Sequence, residues 1–304
     1  MIAPAARAAL ERALGTRVRF DAPLARHTSL GVGGPADALA APESAAEAEV
    51  CVRACAEHGV PLWVLGGGFN TLVLDAGVDG VVLRLHRLRR LDVETDGVLF
   101  AEAGVSHAQA MRICAERGLA GLEFAAGIPG TVGGWIAMNA GIPERETAAA
   151  AREVEVVAPG SARRWLSRDA LRFVYRGALG MPPGGVVLAA RFALRAAEPR
   201  AVRAEIERHL AHRRATQPID QPSFGSVFKN PPGERAGQLI ELAGLKGLRV
   251  GGAEISSVHA NFIVNRGGAS AADVLALVRR AQDAVRERRG IELEPEVRIV
   301  GRSR

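Results

Sequence analysis

The residues best suited to chemistry lie in the stretch 222–232, which reads PSFGSVFKNPP. It places the hydroxyl of Ser226 directly after Gly225 and follows it with the side chains of Lys229 and Asn230. The flanking prolines fix φ and remove backbone donors, whereas a glycine permits a turn or the close approach of a ligand. Such a stretch is either an ordinary Ser/Gly/Pro turn or a rigid segment that presents polar groups. In the second case, a serine hydroxyl held near a developing carbanion could donate a proton to it.

Two glycine-rich segments could hold the phosphates of a cofactor. Residues 66–71 read GGGFNT and residues 127–134 read GIPGTVGG. Glycine lets successive backbone amides converge on anionic oxygens. Neither segment is followed by Gly-Lys-Ser/Thr as in a P-loop, and neither matches the dinucleotide fingerprint. Each alone could be a tight turn between strands, but a third glycine cluster at residues 31–34 favours the cofactor interpretation.

The elements predicted around these segments alternate between helices and strands. A helical pattern over residues 43–58 precedes an apolar strand at 60–65, which leads into the first glycine segment. Ser106 and Gln109 have the spacing of a capping box, which predicts a helix that continues to Arg117 and ends at Gly118. Further strands are predicted at 72–74, 80–85, 98–101, 153–157, 186–192, 261–265 and 295–301, and further helices at 202–210, 236–243 and 274–289. This order indicates an α+β or α/β protein.

Length and composition limit the classes of protein that the chain can represent. Its 304 residues predict two or three domains or lobes, and 48% hydrophobic with 24% charged residues is typical of globular proteins. We expect a soluble cytoplasmic protein, because no apolar run approaches the roughly 18 residues of a membrane span and the N-terminus does not resemble a signal peptide. The three cysteines lie in helical patterns and the seven histidines are scattered, which predicts buried thiols and no metal site.

The net charge of +6 leaves nucleic-acid binding as a weaker alternative. Only residues 86–90 form a compact basic run without acidic residues, and this run lacks the aromatic side chains that would stack on bases. Recognition of an anionic small molecule uses the same kind of charge, and we therefore expect no nucleic-acid partner.

Several motifs, taken together, resemble one known family. They comprise residues 26–37, 65–71, 127–134, Tyr175-Arg176, 225–231 and 296–298. In this order, from about residue 24 to residue 301, they are similar to the UDP-N-acetylenolpyruvoylglucosamine reductases, flavoenzymes that form UDP-N-acetylmuramate for bacterial peptidoglycan. The resemblance implies an α+β fold with a two-lobed FAD-binding domain of the vanillyl-alcohol-oxidase (PCMH) type and a C-terminal α+β substrate-binding domain. The implied boundaries are 1–80 and 81–198 for the lobes and 199–296 for the substrate domain, with a strand at 297–304 that returns to the first lobe.

The chemistry that the resemblance implies is a two-stage reduction. NADPH would reduce FAD and leave, and the enolpyruvyl substrate would then accept hydride from flavin N5 at its β-carbon. By their positions in the motifs, Ser226 would protonate the α-carbon, and Arg176 and Glu296 would stabilise the enolate-like intermediate. The substrate would be bound by Tyr175, Lys229 and Asn230. FAD would be bound by Gly66, Gly67, Gly68, Phe69, Asn70, Thr71, Gly127, Ile128, Pro129, Gly130, Gly133, Gly134 and Arg298.

The sequence departs from the family pattern at two positions and leaves one functional alternative open. Phe69 stands where the family commonly has serine, and Phe224 stands where a small residue or cysteine is usual. Tyr175 is the single tyrosine, so the chain resembles the subclass without the tyrosine-bearing loop that covers the substrate. The alternative is another FAD-dependent oxidase or dehydrogenase of the same fold that acts on an alcohol or sugar. We expect no membrane partner, and either a monomer or a weak oligomer.

Overall fold

The computed structural model describes residues 2–302, which fold into two compact units, each assembled from separate stretches of chain. The first unit contains the chain up to Phe20, Asp37–Gly67 and Gly80–His212, and the second contains Asp21–Ala36, Gly68–Asp79 and the chain from Arg213 onward. Each unit has its own cluster of buried apolar side chains. The predicted boundaries at residues 80 and 198 stay predictions.

The largest sheet of the first unit has five antiparallel strands. Its order is Ser161–Ser167, Ala151–Ala158, Val186–Ala193, Val98–Glu102 and Leu91–Val93. The central strand Val186–Ala193 is buried over its first five residues, so these form a continuous apolar run and not an alternating pattern, and Arg191 follows them. The edge strand Ser161–Ser167 is mostly exposed and carries two arginines, so the strand pattern did not reveal it.

A second sheet has four strands in the order Val18–Pro23, Pro35–Ala40, Val78–Leu83 and Leu62–Val64. The divisions of the chain into the two units, after residues 20, 36 and 79, fall within the first three of these strands. Leu62–Val64 pairs in parallel with residues 81–83, and the first glycine segment begins two residues after it. Helix Ala45–Glu57 buries Cys51 and Cys55. All three cysteines are buried and free, as predicted, and burial raises their pKa to about 12 for Cys51, about 11 for Cys55 and about 12 for Cys114.

The predicted capping box opens helix His107–Arg117. The Ser106 hydroxyl accepts a hydrogen bond from the Gln109 amide at 3.3 Å, and the Gln109 side chain accepts one from the Ser106 amide at 3.0 Å. Gly118 ends the helix with φ +61°, a left-handed conformation that glycine adopts without strain.

The second unit packs helices onto a four-stranded antiparallel sheet, which orders Ser223–Ser226, Phe262–Asn265, Ala253–Ile255 and Arg249–Val250. Helix Ala271–Arg289 covers it with Val274, Leu277 and Val278 and ends at Gly290, as predicted. Strand Arg298–Val300 pairs in parallel with Thr71–Val73.

The remaining elements are short or lie away from these sheets. The other helices are Pro4–Leu14, Val132–Ala137, Arg168–Leu171, Pro199–Thr216 and Ala236–Leu242, with 3-10 turns at Gly15–Arg17, Ala25–His27, Thr95–Gly97, Glu123–Ala125 and Thr147–Ala149. The other strands are Leu119–Ala120 with Arg195–Ala196, Gly141–Ile142 with Arg145–Glu146, and Phe173–Val174 with Gly177–Ala178. Within residues 2–302, no helix is both long enough and apolar enough to cross a membrane.

Candidate active site

The second half of the first glycine segment is fixed against the upstream motif at residues 26–31. Gly68 has φ +72°, and a Cβ atom there would lie 2.5 Å from the carbonyl oxygen of His27 and 2.7 Å from the Cα of Thr28. The carbonyl of Gly68 accepts hydrogen bonds from the amide of Ser29 at 3.2 Å and from its hydroxyl at 2.8 Å. Only glycine fits this close backbone approach, which explains why the two motifs occur together.

The first half of this segment lies beside the second glycine segment within the first unit. A Cβ atom on Gly66 would lie 2.9 Å from Oγ1 of Thr131. Gly130 has φ +121° and open space where its Cβ would be, whereas Gly133 packs against Ala103. Within residues 2–302, the amides of Gly66, Gly67 and Gly130 donate to no protein acceptor. These three amides are therefore donors that an anionic ligand can use.

Arg176 lies at the tip of a two-stranded hairpin formed by Phe173–Val174 and Gly177–Ala178. Its φ of +58° is rare for a residue with a side chain. Its guanidinium lies 4.8 Å from the centre of the Tyr175 ring and 3.8 Å from a carboxylate oxygen of Glu146. The side chains of Tyr175 and Arg176, neighbours at the hairpin tip, are therefore in contact.

Asn139 connects this hairpin to the glycine-rich chain before it. Its buried side-chain amide donates to the Glu146 carboxylate at 2.7 Å and to the Val174 carbonyl at 3.0 Å, and its Oδ1 accepts from the Ala148 amide at 2.9 Å. The sequence prediction missed Asn139. The residue type and its position five residues after the second glycine segment did not indicate this role, and the φ of +41° that marks Asn139 is visible only in the structure.

Ser226 ends a strand at a bulge. Ser223 is opposite Val264 and Ser226 is opposite Phe262, so three residue steps on one strand face two on the other. Gly225 takes φ +81° within this bulge, directly before the serine. A bulge redirects the side chain that follows it, and the predicted rigid presentation of Ser226 agrees with this geometry.

The chain after Ser226 is attached to the segment that carries Glu296. The Val227 carbonyl accepts from the Glu296 amide at 2.8 Å, and the Lys229 amide donates to the Glu294 carbonyl at 2.9 Å. The Lys229 ammonium also lies 2.5 Å from the Glu294 carboxylate. Ser226 is therefore linked to Glu296, inside one unit, through the next residue, Val227, and the hydrogen bond between the Val227 carbonyl and the Glu296 amide.

Asn70 and Asn230, assigned to cofactor and substrate, also have structural partners. The Asn70 side-chain amide donates to the Glu296 carbonyl at 3.2 Å, and the Asn70 carbonyl accepts from the Arg298 amide at 3.1 Å. The Asn230 side-chain oxygen accepts from the Ala236 amide at 3.1 Å, where helix Ala236–Leu242 begins.

The two departures from the family pattern have different surroundings. Phe224 is 1% exposed and belongs to the core of the second unit, so its ring contributes to packing beside the bulge. Phe69, at the position where the family pattern commonly has serine, is 37% exposed. Within residues 2–302, no group of three or more His, Cys, Asp or Glu side chains is arranged to hold a metal ion.

Comparison with known proteins defines the class. A family model described as an FAD binding domain matches residues 36–167. The fold is also that of an alkyldihydroxyacetonephosphate synthase, with a TM-score of 0.52 and 19% identity over 64% of this chain and 41% of that chain. The protein is an FAD-dependent oxidoreductase whose FAD-binding domain shares this fold, which confirms the predicted fold and cofactor.

More specific similarities identify the family. A model described as the UDP-N-acetylenolpyruvoylglucosamine reductase C-terminal domain matches residues 217–300. The reductase of Geotalea uraniireducens (strain Rf4) is 44% identical over 97% of this chain and 98% of its own length, and that of Anaeromyxobacter sp. (strain K) is 48% identical over 95% and 87%. The crystal structure of the reductase from Thermus caldophilus matches with a TM-score of 0.80 and 39% identity over 93% of this chain and 98% of that chain. The chain belongs to the UDP-N-acetylenolpyruvoylglucosamine reductase family.

Proposed function

We propose that the protein reduces the enolpyruvyl group of UDP-N-acetylenolpyruvoylglucosamine to give UDP-N-acetylmuramate, with NADPH as the electron donor. The observation that carries this proposal is the similarity to the reductases over 97% of the chain. That similarity spans the glycine segments, Arg176, Ser226 and Glu296, and it favours the reductase over a flavin oxidase of the same fold.

The glycine segments fit the pyrophosphate of FAD. The unpaired amides of Gly66, Gly67 and Gly130 supply donors, and the open space beside Gly130 leaves room for phosphate oxygens. We propose that FAD is held by residues 66–71, by Gly127, Ile128, Pro129, Gly130, Gly133 and Gly134, and by Arg298. FAD held by these residues would supply the hydride chemistry that links NADPH to the β-carbon of the enolpyruvyl group.

Ser226 is proposed to donate the proton that completes the reduction at the α-carbon. Hydride addition leaves an electron pair at that carbon, and a new C–H bond forms when the serine hydroxyl gives up its proton. The bulge at Gly225 supports this role, because it holds the hydroxyl at the end of a strand and not on a mobile loop.

Arg176 and Glu296 are proposed to stabilise the enolate-like charge before protonation, as expected from the family motifs. The strained backbone of Arg176 and its contacts with Tyr175 and Glu146 support a fixed guanidinium. A fixed charge stabilises a transition state without reorganising during the reaction. Tyr175, Lys229 and Asn230 are proposed to contact the substrate.

The proposed setting of this reaction is the cytoplasm, where the first steps of peptidoglycan precursor synthesis would take place. The proposed partners are NADPH and the enolpyruvyl nucleotide, without nucleic acid. A monomer or weak oligomer remains our expectation.

An anaerobic titration tests the function. Addition of NADPH should bleach the flavin absorbance of the purified protein, and addition of the enolpyruvyl nucleotide should restore it while a product two hydrogens heavier forms. UDP-N-acetylglucosamine, which lacks the enolpyruvyl group, is the matched control and should leave the flavin reduced. If the enolpyruvyl nucleotide also leaves it reduced, the proposed function is wrong.

A further inference from the structure

The side chain of Asn261 completes the strand pairing of the segment that follows Ser226. Strand Phe262–Asn265 ends its pairing with Ser226 at Phe262, because the chain on the other side of Phe262 turns away through residues 256–261. No strand residue is therefore placed to pair with Phe228. Instead, Oδ1 of Asn261 accepts from the Phe228 amide at 2.9 Å, and Nδ2 donates to the Phe228 carbonyl at 2.8 Å.

Both partners of this double hydrogen bond are shielded from water. Asn261 is 3% exposed and Phe228 is 2% exposed. The orientation of the amide is determined, because the Phe228 N–H requires an acceptor and its carbonyl requires a donor. A buried amide with both groups satisfied holds one backbone geometry, whereas loss of either bond leaves a buried polar group without a partner.

The backbone of Asn261 is itself fixed. Its carbonyl accepts from the Val227 amide at 2.9 Å, and its amide donates to Nδ1 of His259 at 3.2 Å. Burial lowers the pKa of His259, so the ring is neutral near pH 7 and Nδ1 can accept. The His259 ring also packs edge-on against Phe262, with 4.9 Å between ring centres. Asn261 therefore has little freedom to move.

The opposite side of the same segment is bonded to the segment that carries Glu296. The Val227 carbonyl accepts from the Glu296 amide, and Phe228 forms an isolated bridge with Pro295. Residues 227 and 228 are thus held between Asn261 on one side and residues 295–296 on the other. Any shift of this segment would move Ser226 relative to Glu296.

We propose that Asn261 is a positioning residue for the reduction of the substrate, which fixes the segment after Ser226 so that the hydroxyl of Ser226 and the carboxylate of Glu296 keep their mutual geometry. This inference rests on the proposed function. Asn261 acts through the backbone of Phe228 and takes no part in hydride delivery.

The test compares the two half-reactions in an Asn261→Leu variant, which keeps the branched four-atom skeleton of the side chain but loses both hydrogen bonds. We expect the rate of flavin reoxidation by the enolpyruvyl nucleotide to fall about 100-fold, the effect of a misplacement of about 1 Å at a reacting group. The rate of flavin reduction by NADPH should not change, because that step does not use Ser226. Stopped-flow absorbance of the holoenzyme measures both rates.

Asn265→Leu is the matched control. Asn265 lies on the same strand and also uses its side chain to bind backbone groups, at Leu30, Gly267 and Ala269, but none of these belongs to the proposed site. We expect this variant to lose stability while both half-reaction rates stay at the wild-type values.

Three outcomes decide the proposal. A selective loss of reoxidation in Asn261→Leu supports it, whereas equal loss of both rates, or no loss, overturns it. If the leucine variant retains no flavin, Asn261→Asp provides the same comparison, because it keeps the shape and the acceptor and replaces the amide donor by an oxygen of an ionisable carboxyl group. Failure of the wild-type protein to be reoxidised would contradict the proposed function itself and is therefore distinguishable.

Discussion

At the scale of single residues, the candidate site depends on side chains whose main contacts are with backbone. Asn261 and Asn139 each hydrogen bond to peptide groups of the segment that carries a predicted catalytic residue. The sequence identified Ser226 and Arg176 through their motifs, but it could not identify the two asparagines. Asn261 contacts a residue 33 positions earlier, and such a pairing follows from the tertiary fold and not from local spacing.

Replacement of Ser226 by alanine should separate the two halves of the reaction. The variant should still be reduced by NADPH, but turnover with the enolpyruvyl nucleotide should fall by about 100-fold or more because the proton donor is missing. Steady-state NADPH oxidation measures turnover. Ser223→Ala, on the same strand, is the control and should keep wild-type turnover; unchanged turnover in Ser226→Ala would remove this serine from the mechanism.

Glu254 should make the second unit sensitive to acid. Its buried carboxylate accepts two hydrogen bonds of 3.0 Å from Arg266 and is also paired with Arg249, and these hydrogen bonds lower its pKa below 4.5. A folded-state pKa below the unfolded value means that the carboxylate stabilises the fold above about pH 4.5. This contribution is lost as the pH falls through the lowered pKa.

The Glu254→Gln variant tests this linkage by thermal denaturation between pH 7 and pH 3. We expect a free energy of unfolding lower by about 2 kcal/mol at pH 7, because charge-assisted hydrogen bonds are replaced by weaker ones. The difference from wild type should shrink as the pH falls. A constant difference over the whole range would contradict the assignment.

At the scale of elements, the sequence predicted most accurately those helices and strands whose bounds are set by interactions between residues close in the chain. The helices that begin at capping boxes and end at left-handed glycines were found, because caps and apolar periodicity are local signals. Strand Ser161–Ser167 was missed because it is an exposed edge strand without an apolar pattern. Its strand conformation depends on pairing with Ala151–Ala158. The strand predicted at residues 261–265 begins one residue later because Asn261 uses its side chain for pairing.

Helix Ala271–Arg289 should depend on a cap from outside the helix. The Asp75 carboxylate accepts from the amides of Ala271 at 2.8 Å and Ala272 at 3.0 Å, and Ser270 accepts from Asp273. Asp75→Ala leaves two helix-end donors without a protein partner and should lower the free energy of unfolding by about 1–2 kcal/mol.

Urea denaturation measures this loss. Asp283→Ala is the matched control, since Asp283 lies on the exposed face of the same helix and pairs only locally with Arg286. Its effect should stay within about 0.5 kcal/mol. Equal effects of the two substitutions would show that Asp75 does not cap the helix.

At the scale of the whole molecule, each unit has its own apolar core, but neither is a continuous stretch of sequence. Domain boundaries predicted from a sequence are single points along the chain. Such a prediction does not reveal that residues 21–36 and 68–79 belong to the same unit as the residues after 212. The family motifs preserve the order of the site residues, which is why the predicted family and cofactor were confirmed.

Removal of FAD should lower the melting temperature of the protein. A ligand that binds only the folded state stabilises it by about 2.7 kcal/mol when its concentration is 100 times its Kd. Differential scanning calorimetry of stripped and reloaded protein measures the shift. Riboflavin is the matched control, because it lacks the phosphates that the glycine amides are proposed to bind. An equal shift with riboflavin would contradict that role.

The parallel pairing of Arg298–Val300 with Thr71–Val73 also sets the order of events during synthesis. The ribosome makes Thr71 of the first strand 227 residues before Arg298 of the second (298 − 71), which at about 5–20 residues per second is a delay of roughly 11–45 s. During that time, an apolar strand that ends in Leu72 and Val73 has no hydrogen-bonding neighbour from the chain's other end. The edge of Thr71–Val73 that pairs with Arg298–Val300 therefore has to wait for its partner until translation is almost finished, and an unpaired strand edge is a template to which other chains can add.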